Sequence, residues 1–189
     1  MEARAAELIE RLGMVRRAAR RSAAAAAGLS VAQLDALSYL GGCNRFSDTP
    51  AAVATYLDTT RGTTSQSLLA LERKGLLRRV RDPRDGRVHH LRPTPGGERI
   101  LREADGADEI ANAVTSLGLQ RTDLERLLDR VLRTAQRNRG GRTFGRCGEC
   151  RHLRGVPGDR QCGLTAEPLS TDDTTLLCIE YAERSPAPH

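Results

Sequence analysis

Four of the five cysteines lie in the last 43 residues of this 189-residue chain. Cys147, Cys150, Cys162 and Cys178 follow the spacing C-x2-C-x11-C-x15-C. Four thiolates near one another suit either a tetrahedral Zn²⁺ ion or an iron–sulfur cluster. In a reducing compartment such a group indicates metal binding rather than disulfides. The pattern therefore predicts a metal site made by these four residues.

The spacing favours a cluster over zinc. A zinc ribbon offers two C-x-x-C pairs, whereas here one such pair, Cys147 and Cys150, is followed by two isolated cysteines. This distribution resembles small cubane-cluster domains, so a four-iron, four-sulfur cluster (4Fe-4S) is the favoured cofactor and zinc (Zn) is the alternative. His152 is a substitute ligand, an outer partner of the ligands or simply an exposed residue. Cys178 is expected in a short helix over residues 172–181.

A second stretch whose residues can do chemistry runs from residue 60 to residue 97. Between Arg61 and Arg99 there are ten Lys/Arg and four Asp/Glu, a surplus of six that equals the net charge of +6 of the whole chain. Strongly basic surfaces favour polyanionic partners, of which nucleic acid is the commonest. The clustering of this charge predicts a nucleic-acid surface, and a solvated charged face is the ordinary alternative.

Helix and turn signals place this stretch in a helix-turn-helix followed by a wing. A helix is expected from residue 63 to residue 74, ended by Gly75, and a hairpin over residues 76–92 turns where Pro and Gly set the backbone. The start of the helix exposes short polar side chains that suit base edges in a major groove: Thr63, Thr64, Ser65, Gln66 and Ser67. Arginines suit the phosphate backbone or a narrow minor groove: Arg61 before the helix, and Arg84 and Arg87 in the hairpin.

Apolar spacing predicts further helices on both sides of this unit. Three come before it, over residues 3–26, 31–40 and 51–57, and the second and third are started by caps at Ser30 and Thr49. Two come after it, one from residue 94 to residue 117 and one over residues 122–138. The fold class is therefore mainly α with a small β part (α+β). The predicted divisions are a winged helix-turn-helix unit with its helical body (1–138), a linker (139–145) and a cysteine-bearing tail (146–189).

The run from Val53 to Leu101 resembles the MarR family of bacterial winged-helix transcription regulators. The matching motifs are S-Q-S-L-L-A-L-E-R-K-G-L in the second helix, D-P-R-D-G-R in the wing and T-P-x-G after it. The resemblance covers about residues 1–138. It implies a homodimer that represses transcription by binding two half-sites of a pseudo-palindromic, double-stranded DNA operator. It also implies which positions read the DNA: Thr64, Ser65, Gln66 and Ser67 for bases, and Arg84 for the minor groove.

The tail departs from the usual family pattern, and its metal sets two alternatives for regulation. With an iron–sulfur cluster, the tail is predicted to be a redox sensor that changes operator binding. With zinc, it is a structural staple, and a small ligand regulates the protein. Aromatic residues make up only 3% of the chain, which makes a cleft for phenolic ligands less expected. Cys43 follows the second helix, outside the region that oxidation-sensing relatives use, and is given no role.

Other classes of function are disfavoured. No nucleophile with a base and an orienting group, no paired carboxylates in a pocket and no phosphate-cradling glycine motif is recognisable, so an enzyme is not expected. No apolar run approaches the ~20 residues that span a bilayer, and the charged start MEARAAELIERL lacks a signal-peptide core. A cytoplasmic location without a membrane partner is expected. The alternative from a different class is a redox or electron-transfer accessory protein.

Overall fold

The computed structural model describes residues 2–83, 85–106, 108–117, 121–140 and 142–184. The helices are α1 (Glu2–Ala26), α2 (Val31–Gly42), α3 (Pro50–Tyr56), α4 (Arg61–Arg73), α5 (Pro95–Gly106), α6 (Glu109–Ser116), α7 (Arg121–Asn138) and α8 (Thr171–Thr175). The strands are β1 (Leu77–Arg81), β2 (His89–Pro93), β3 (Gly145–Arg146), β4 (Leu153–Val156), β5 (Asp159–Cys162), β6 (Pro168–Leu169) and β7 (Leu177–Cys178). The predicted mainly helical class with small sheets is confirmed.

Side-chain caps start α2 and α3, as predicted. The Ser30 hydroxyl accepts from the Gln33 N–H (3.2 Å), and the Gln33 side chain accepts from the Ser30 N–H (3.1 Å). The Thr49 hydroxyl accepts from the Ala52 N–H (3.3 Å), and Pro50 takes the first helical position. Because these caps satisfy N–H groups that the helix itself cannot bond, they fix where both helices begin.

Helix α4 begins earlier than the sequence predicts. Its N-cap is Thr60, whose hydroxyl accepts from the Thr63 N–H (3.2 Å), so Arg61 is already helical. The prediction was wrong because Gly62 indicated a turn, whereas the structure places it in the first helical turn. At the other end Gly75 takes a left-handed φ of 68° just past the helix, the C-terminal stop that its sequence position predicts.

The winged unit has one buried core. Strands β1 and β2 form an antiparallel hairpin in which Leu77 faces Pro93. Leu77 and Leu91 turn their side chains inward. They meet side chains of α2, α3 and α4 that are fully buried: Leu34, Leu37, Val53, Leu68 and Leu71. Burying each such side chain contributes about 1.5–3 kcal/mol, so these contacts set the positions of α4 and the wing.

Helix α5 backs directly onto the start of this hairpin. A Cβ atom added at Gly97 would lie 2.3 Å from the Leu76 carbonyl oxygen. The residue must therefore lack a side chain for the helix to approach so closely.

The single helix expected from residue 94 to residue 117 is wrong, because the segment is divided into α5 and α6. Asp108 caps α6, and its carboxylate accepts from the N–H groups of Ile110 (3.1 Å) and Ala111 (3.2 Å). It also pairs with Arg16 of α1. Although burial opposes this, the hydrogen bonds and the arginine hold the pKa of Asp108 below its ordinary value. Apolar periodicity continues through the break, so periodicity could not reveal it.

Helices α1 and α7 carry apolar faces that the described part of this single chain leaves exposed. The large apolar side chains that are more than 40% exposed are Leu8, Ile9, Leu12, Met14 and Val15 on α1, and Leu127, Leu128, Val131 and Leu132 on α7. Extended apolar patches mark interaction surfaces.

The helices also bear on the expectation of no membrane partner. Among the described residues no single helix is long and apolar enough to cross a bilayer. Helices α1 and α2 pass that test only as a pair, by length and composition, and the pair is bent by 96°.

The tail folds into two small sheets. Strands β4, β5 and β6 form one antiparallel sheet, and β3 pairs with β7 in the other. The helix expected over residues 172–181 is wrong in its second half, since α8 ends at Thr175 and Cys178 lies on β7 opposite Gly145. Strand β7 forms because it pairs with β3, which lies more than 30 residues earlier in the sequence, and because Leu177 packs on the main core.

Candidate nucleic-acid interface and cysteine cluster

The first turns of α4 present a polar surface. The exposed side chains are Arg61, Thr63, Ser65 and Gln66, and Ser67 is half-buried. The first N–H groups of a helix have no partner within the helix, and they give this end a partial positive charge. The surface can therefore hydrogen-bond to bases or to phosphate oxygens.

Thr64, also expected at the DNA surface, points inward instead. Its residue is 3% exposed, and its hydroxyl lies 2.8 Å from that of Thr59. Leu68 and Leu71 follow it at helical spacing on the same inner face. Thr64 therefore fixes the turn that leads into α4, and it is not available at the surface.

The turn of the wing is held by its own aspartates. The Asp82 carboxylate accepts from the Asp85 N–H (2.8 Å), and the Asp85 carboxylate accepts from the Arg87 N–H (3.0 Å). The side chain of Arg87 is exposed, whereas Arg84 lies outside the described residues. These two hydrogen bonds fix the described residues of the turn, beside which Arg87 is exposed.

His90 connects the wing to the loop between α2 and α3. Its Nδ1 lies 2.5 Å from Asp48 Oδ1, and its Nε2 lies 2.9 Å from Asp82 Oδ2. An imidazole donates from both nitrogens only when protonated. The two hydrogen bonds, that to Asp48 first, therefore raise the pKa of His90 against the effect of burial. Successive side chains of a strand point to opposite faces, so His89 faces away from His90, and nothing local indicated Asp48.

The four cysteines of the tail meet at one small, mostly apolar cavity. The space is about 20 Å³, and its walls include Cys147, Cys150, Cys162, Cys178, His152, Phe46, Leu153, Leu164 and Leu169. All four cysteines are free thiols. Within the described ranges, no group of three or more His, Cys, Asp or Glu side chains is arranged to hold a metal ion. The thiols therefore surround a common space and do not converge on one point.

The surroundings of the thiols differ. Burial first, and then the neighbouring thiols, raise the pKa of Cys147 to about 11. Burial also raises the pKa of Cys178. The pKa of Cys162 is lowered, because hydrogen bonds from the hydroxyl and N–H of Thr165 outweigh the opposing effect of burial. The thiolate is the form that binds metal, and Cys162 is the cysteine whose surroundings favour it most clearly.

Further polar groups lie around the same cavity. The Ala182 N–H points at Cys150 Sγ (3.4 Å), the kind of contact that tunes metal-bound sulfur. His152 is half-buried in the cavity wall, and its Nε2 accepts from Arg151 (3.4 Å). Of the three roles considered for His152, this placement agrees best with an outer partner of the thiols.

The tail is fastened to α7 by a buried arginine. The Arg133 guanidinium bonds to Asp129 (2.5 Å) and Glu149 (3.0 Å) and lies 4.2 Å from the ring centroid of Tyr181. A planar guanidinium can pair with carboxylates and stack on a ring at the same time. This contact joins the helix with the exposed leucines to the cysteine-bearing segment.

A larger cleft lies where the tail, α2, the base of the wing and α5 meet. Its volume is about 1180 Å³. The described residues of its walls are mainly charged or aliphatic, and none of them carries an aromatic ring. The charged residues include Arg78, Arg92, Arg102, Glu98 and Asp105. The low aromatic content made a cleft for phenolic ligands less expected, and it gave no indication of a cleft with charged and aliphatic walls.

Comparison with known proteins identifies the fold of the winged unit. Residues 27–88 match the model of the MarR family. MarR-family proteins are transcription regulators and not enzymes, which agrees with the expectation that this chain is not an enzyme. A sequence comparison with curated proteins finds no significant match.

Solved structures extend the likeness over more of the chain. CouR from Rhodococcus jostii RHA1, bound to p-coumaroyl-CoA, is 24% identical with a TM-score of 0.53, covering 66% of this chain and 86% of that one. A MarR-family regulator from Silicibacter pomeroyi is 21% identical with a TM-score of 0.57, covering 72% and 90%. A transcriptional regulator from Thermotoga maritima is 22% identical with a TM-score of 0.50, covering 74% and 97%. The chain therefore has the MarR-type winged-helix fold, and each of these likenesses leaves at least a quarter of it unmatched.

Proposed function

We propose that this chain is a MarR-type transcription regulator that binds double-stranded DNA and acts as a repressor. One observation carries the proposal: the polar, exposed start of α4 lies beside an ordered wing in a MarR-type fold. In this geometry α4 enters the major groove with its first residues toward the bases. Gln66 is suited to adenine, and the hydroxyls of Thr63 and Ser65 suit bases or phosphates.

The wing and the helix start supply the contacts to the phosphate backbone. Arg61 lies at the positive end of α4, where an anion is favoured. Arg87, and Arg84 by its place in the motif, would meet the backbone or the adjacent minor groove. Because such contacts release counterions, they make binding steeply dependent on salt.

The regulator is proposed to act as a homodimer. The exposed leucines of α1 and α7 provide the apolar faces that a helical dimer body needs. Two winged units would then reach half-sites about 34–36 Å apart, or one helical turn, on a pseudo-palindrome.

Selection of duplexes from a random-sequence library tests DNA binding without knowledge of the operator. Sequencing after several rounds should return a pseudo-palindromic motif, and fluorescence anisotropy should show a strong fall in affinity as salt is raised. Enrichment of no motif, with weak binding and a shallow salt slope, would reject the regulator. That outcome would favour a redox or electron-transfer accessory protein.

We further propose that the tail binds an iron–sulfur cluster of the 4Fe-4S type through Cys147, Cys150, Cys162 and Cys178. A tetrahedral zinc site needs four sulfurs about 2.3 Å from one ion. One C-x2-C pair followed by two isolated cysteines departs from the two C-x-x-C pairs of a zinc ribbon and favours a cluster, and all four thiols line one cavity. When bound, the cluster would supply a group that is sensitive to oxidants. Zinc, with the tail as a structural staple and a small ligand as signal, is the alternative.

Iron, zinc and acid-labile sulfide contents of anaerobically purified protein test the cofactor. Iron and sulfide together, with absorption over about 300–600 nm, would support the cluster. One zinc per chain in colourless protein would support the staple. Cys147→Ser and Cys150→Ser test the sensor role separately: unchanged binding to the selected duplex, with an unchanged response to oxidants, would exclude it.

A further inference from the structure

One loop lies between the cysteine cluster and the wing and contacts both. This junction loop, residues 43–49, joins α2 to α3. On the tail side, the Asn44 N–H donates to the Leu177 carbonyl (2.9 Å). The Ile179 N–H donates to the Ser47 hydroxyl (2.9 Å). The residues on either side of the fourth cluster cysteine are therefore both bonded to the loop.

The end of the same loop is bonded to the wing. The Leu91 N–H of β2 donates to the Asp48 carbonyl (2.7 Å). The Asp48 carboxylate bonds to His90, which in turn bonds to Asp82 at the start of the wing turn. The backbone and a side chain of one loop residue thus hold both the strand and the turn of the wing.

Between these two ends the loop is internally fixed. Asn44 and Ser47 are 0% exposed, and the Ser47 hydroxyl donates to Asn44 Oδ1 (2.8 Å). The Tyr39 hydroxyl donates to the Ser47 carbonyl (2.9 Å). Buried polar groups that bond to one another cannot move singly without leaving a partner unsatisfied. A displacement at the tail end is therefore passed to the wing end.

Asn44 also lies against Cys178. Its Nδ2 atom is buried without a well-formed hydrogen bond, and its side chain contacts the Cys178 thiol. A metal-bound thiolate accepts N–H donors, and such contacts orient the ligand. Ligation of Cys178 would leave a thiolate, which would strengthen this contact and tighten the loop.

We infer that the junction loop couples the state of Cys178 to the position of the wing. The inference rests on the proposed function for the roles of the cluster and the wing. The coupling itself is a property of the folded chain and does not require DNA. Tightening of the loop at Asn44 and Ser47 holds Asp48, and with it the wing, in the position described above. Release of Cys178 from its ligand loosens the loop, Asp48 and the wing.

Because coupling between two sites is reciprocal, the first experiment perturbs the wing and observes the tail. Hydrogen–deuterium exchange with mass spectrometry is measured on the full chain and on His90→Ala. The amides of Asn44 and Ile179 should exchange at least about fivefold faster in the variant, the lower end of typical coupling. The matched control is His89→Ala, one residue away on the opposite face of the strand. Equal effects of the two variants, or no effect of His90→Ala, would overturn the inference.

The second experiment perturbs the tail side and observes the wing. Ser47→Ala removes a hydroxyl that bonds to Cys178, and its matched control Thr165→Ala removes one that bonds to Cys162. The amides of β2 should exchange at least about fivefold faster in the first variant and within about twofold of the full chain in the second. In the wild-type background, Cys178→Ser should speed exchange of the β2 amides. In the Ser47→Ala background it should change their exchange rates little further, because both substitutions act through the same contacts. Additive effects would overturn the inference.

These readouts separate the coupling from the proposed function. Neither uses DNA, so a failed DNA selection leaves the exchange results interpretable, and unchanged exchange rates leave DNA binding standing. Exchange in the cores of α2 and α4 is the check on folding. If Ser47→Ala speeds exchange there as well, the comparison of His90→Ala with His89→Ala decides the question.

Discussion

Replacing His90 by alanine should remove a pH-dependent part of the stability of the winged unit. The imidazolium bonds to Asp48 at 2.5 Å and to Asp82 at 2.9 Å. Hydrogen bonds to charged groups contribute about 1.5–3 kcal/mol each. The His90 and Asp82 side chains are 18% and 23% exposed, so water weakens the second bond more than the first. We therefore expect His90→Ala to lower the free energy of unfolding by about 2–3 kcal/mol near pH 6.

The direction of the pH effect follows from the raised pKa of His90. The folded protein holds this proton more tightly than the unfolded chain, whose histidine pKa is about 6.5. The contribution is therefore complete below about pH 6.5 and is lost as the pH rises through the higher folded pKa. Over that interval the difference between wild type and His90→Ala should shrink by at most about 1.4 kcal/mol per pH unit, the value for one proton.

Urea unfolding followed by circular dichroism at about pH 6, 7, 8 and 9 measures this difference. The protein concentration must be the same throughout, because the proposed dimerisation would contribute to stability. Subtracting the variant from the wild type removes the contribution of all groups that titrate alike in the two proteins. His89→Ala should follow the wild type. A difference below about 0.5 kcal/mol near pH 6, or one that does not change with pH, would refute the reasoning.

Four further predictions concern the core, the interface and α5. Leu71 is fully buried, and Leu71→Ala should lower the free energy of unfolding in urea by about 2–5 kcal/mol. The control Leu69→Ala, at a residue that is 41% exposed, should lower it by less than about 1 kcal/mol. Equal losses in the two variants would contradict the described core. Gln66→Ala should weaken binding to the selected duplex by about 1–3 kcal/mol without changing the salt slope in anisotropy titrations, and an unchanged affinity would remove Gln66 from the interface. Arg87→Ala should weaken binding to all duplexes alike and reduce the salt slope by about one; a sequence-dependent loss would show that it reads bases. Gly97→Ala places a methyl group 2.3 Å from a backbone carbonyl and should lower the melting temperature, so an unaltered melting curve would contradict the close approach of α5.

Elements defined by local chemistry were predictable from the sequence. Ser30 and Thr49 cap α2 and α3 at the expected positions because a hydroxyl and its N–H partner lie three residues apart. Gly75 ends α4 because the left-handed backbone there suits glycine. Thr64 was predicted at the DNA surface and is buried; its helical spacing to Leu68 and Leu71 was the signal that could have placed it inside.

Features that depend on distant partners were not predictable. The break before α6 is stabilised by Arg16, 92 residues before Asp108. Cys178 is on a strand because it pairs with β3, and the local spacing of apolar residues cannot predict a pairing with a distant segment. The spacing of the cysteines predicted that they lie near one another, and they line one cavity. The attachment of that cavity to a loop more than 130 residues earlier, at Ser47, has no signature in the sequence.

The order in which the chain is synthesised also bears on how the tail folds onto the junction loop. The core from Leu29 to Leu91 is contiguous in sequence, whereas Phe144, Leu177 and Ile179 join it last. At about 5–20 residues per second a ribosome needs about 4–18 s to add the 88 residues between Leu91 and Ile179. A winged unit that folds during that time has a loop that still lacks its bonds to Leu177 and Ile179. In that order of events the strand that carries Cys178 would fold onto a loop already in place, and the winged unit would direct where the cysteines meet.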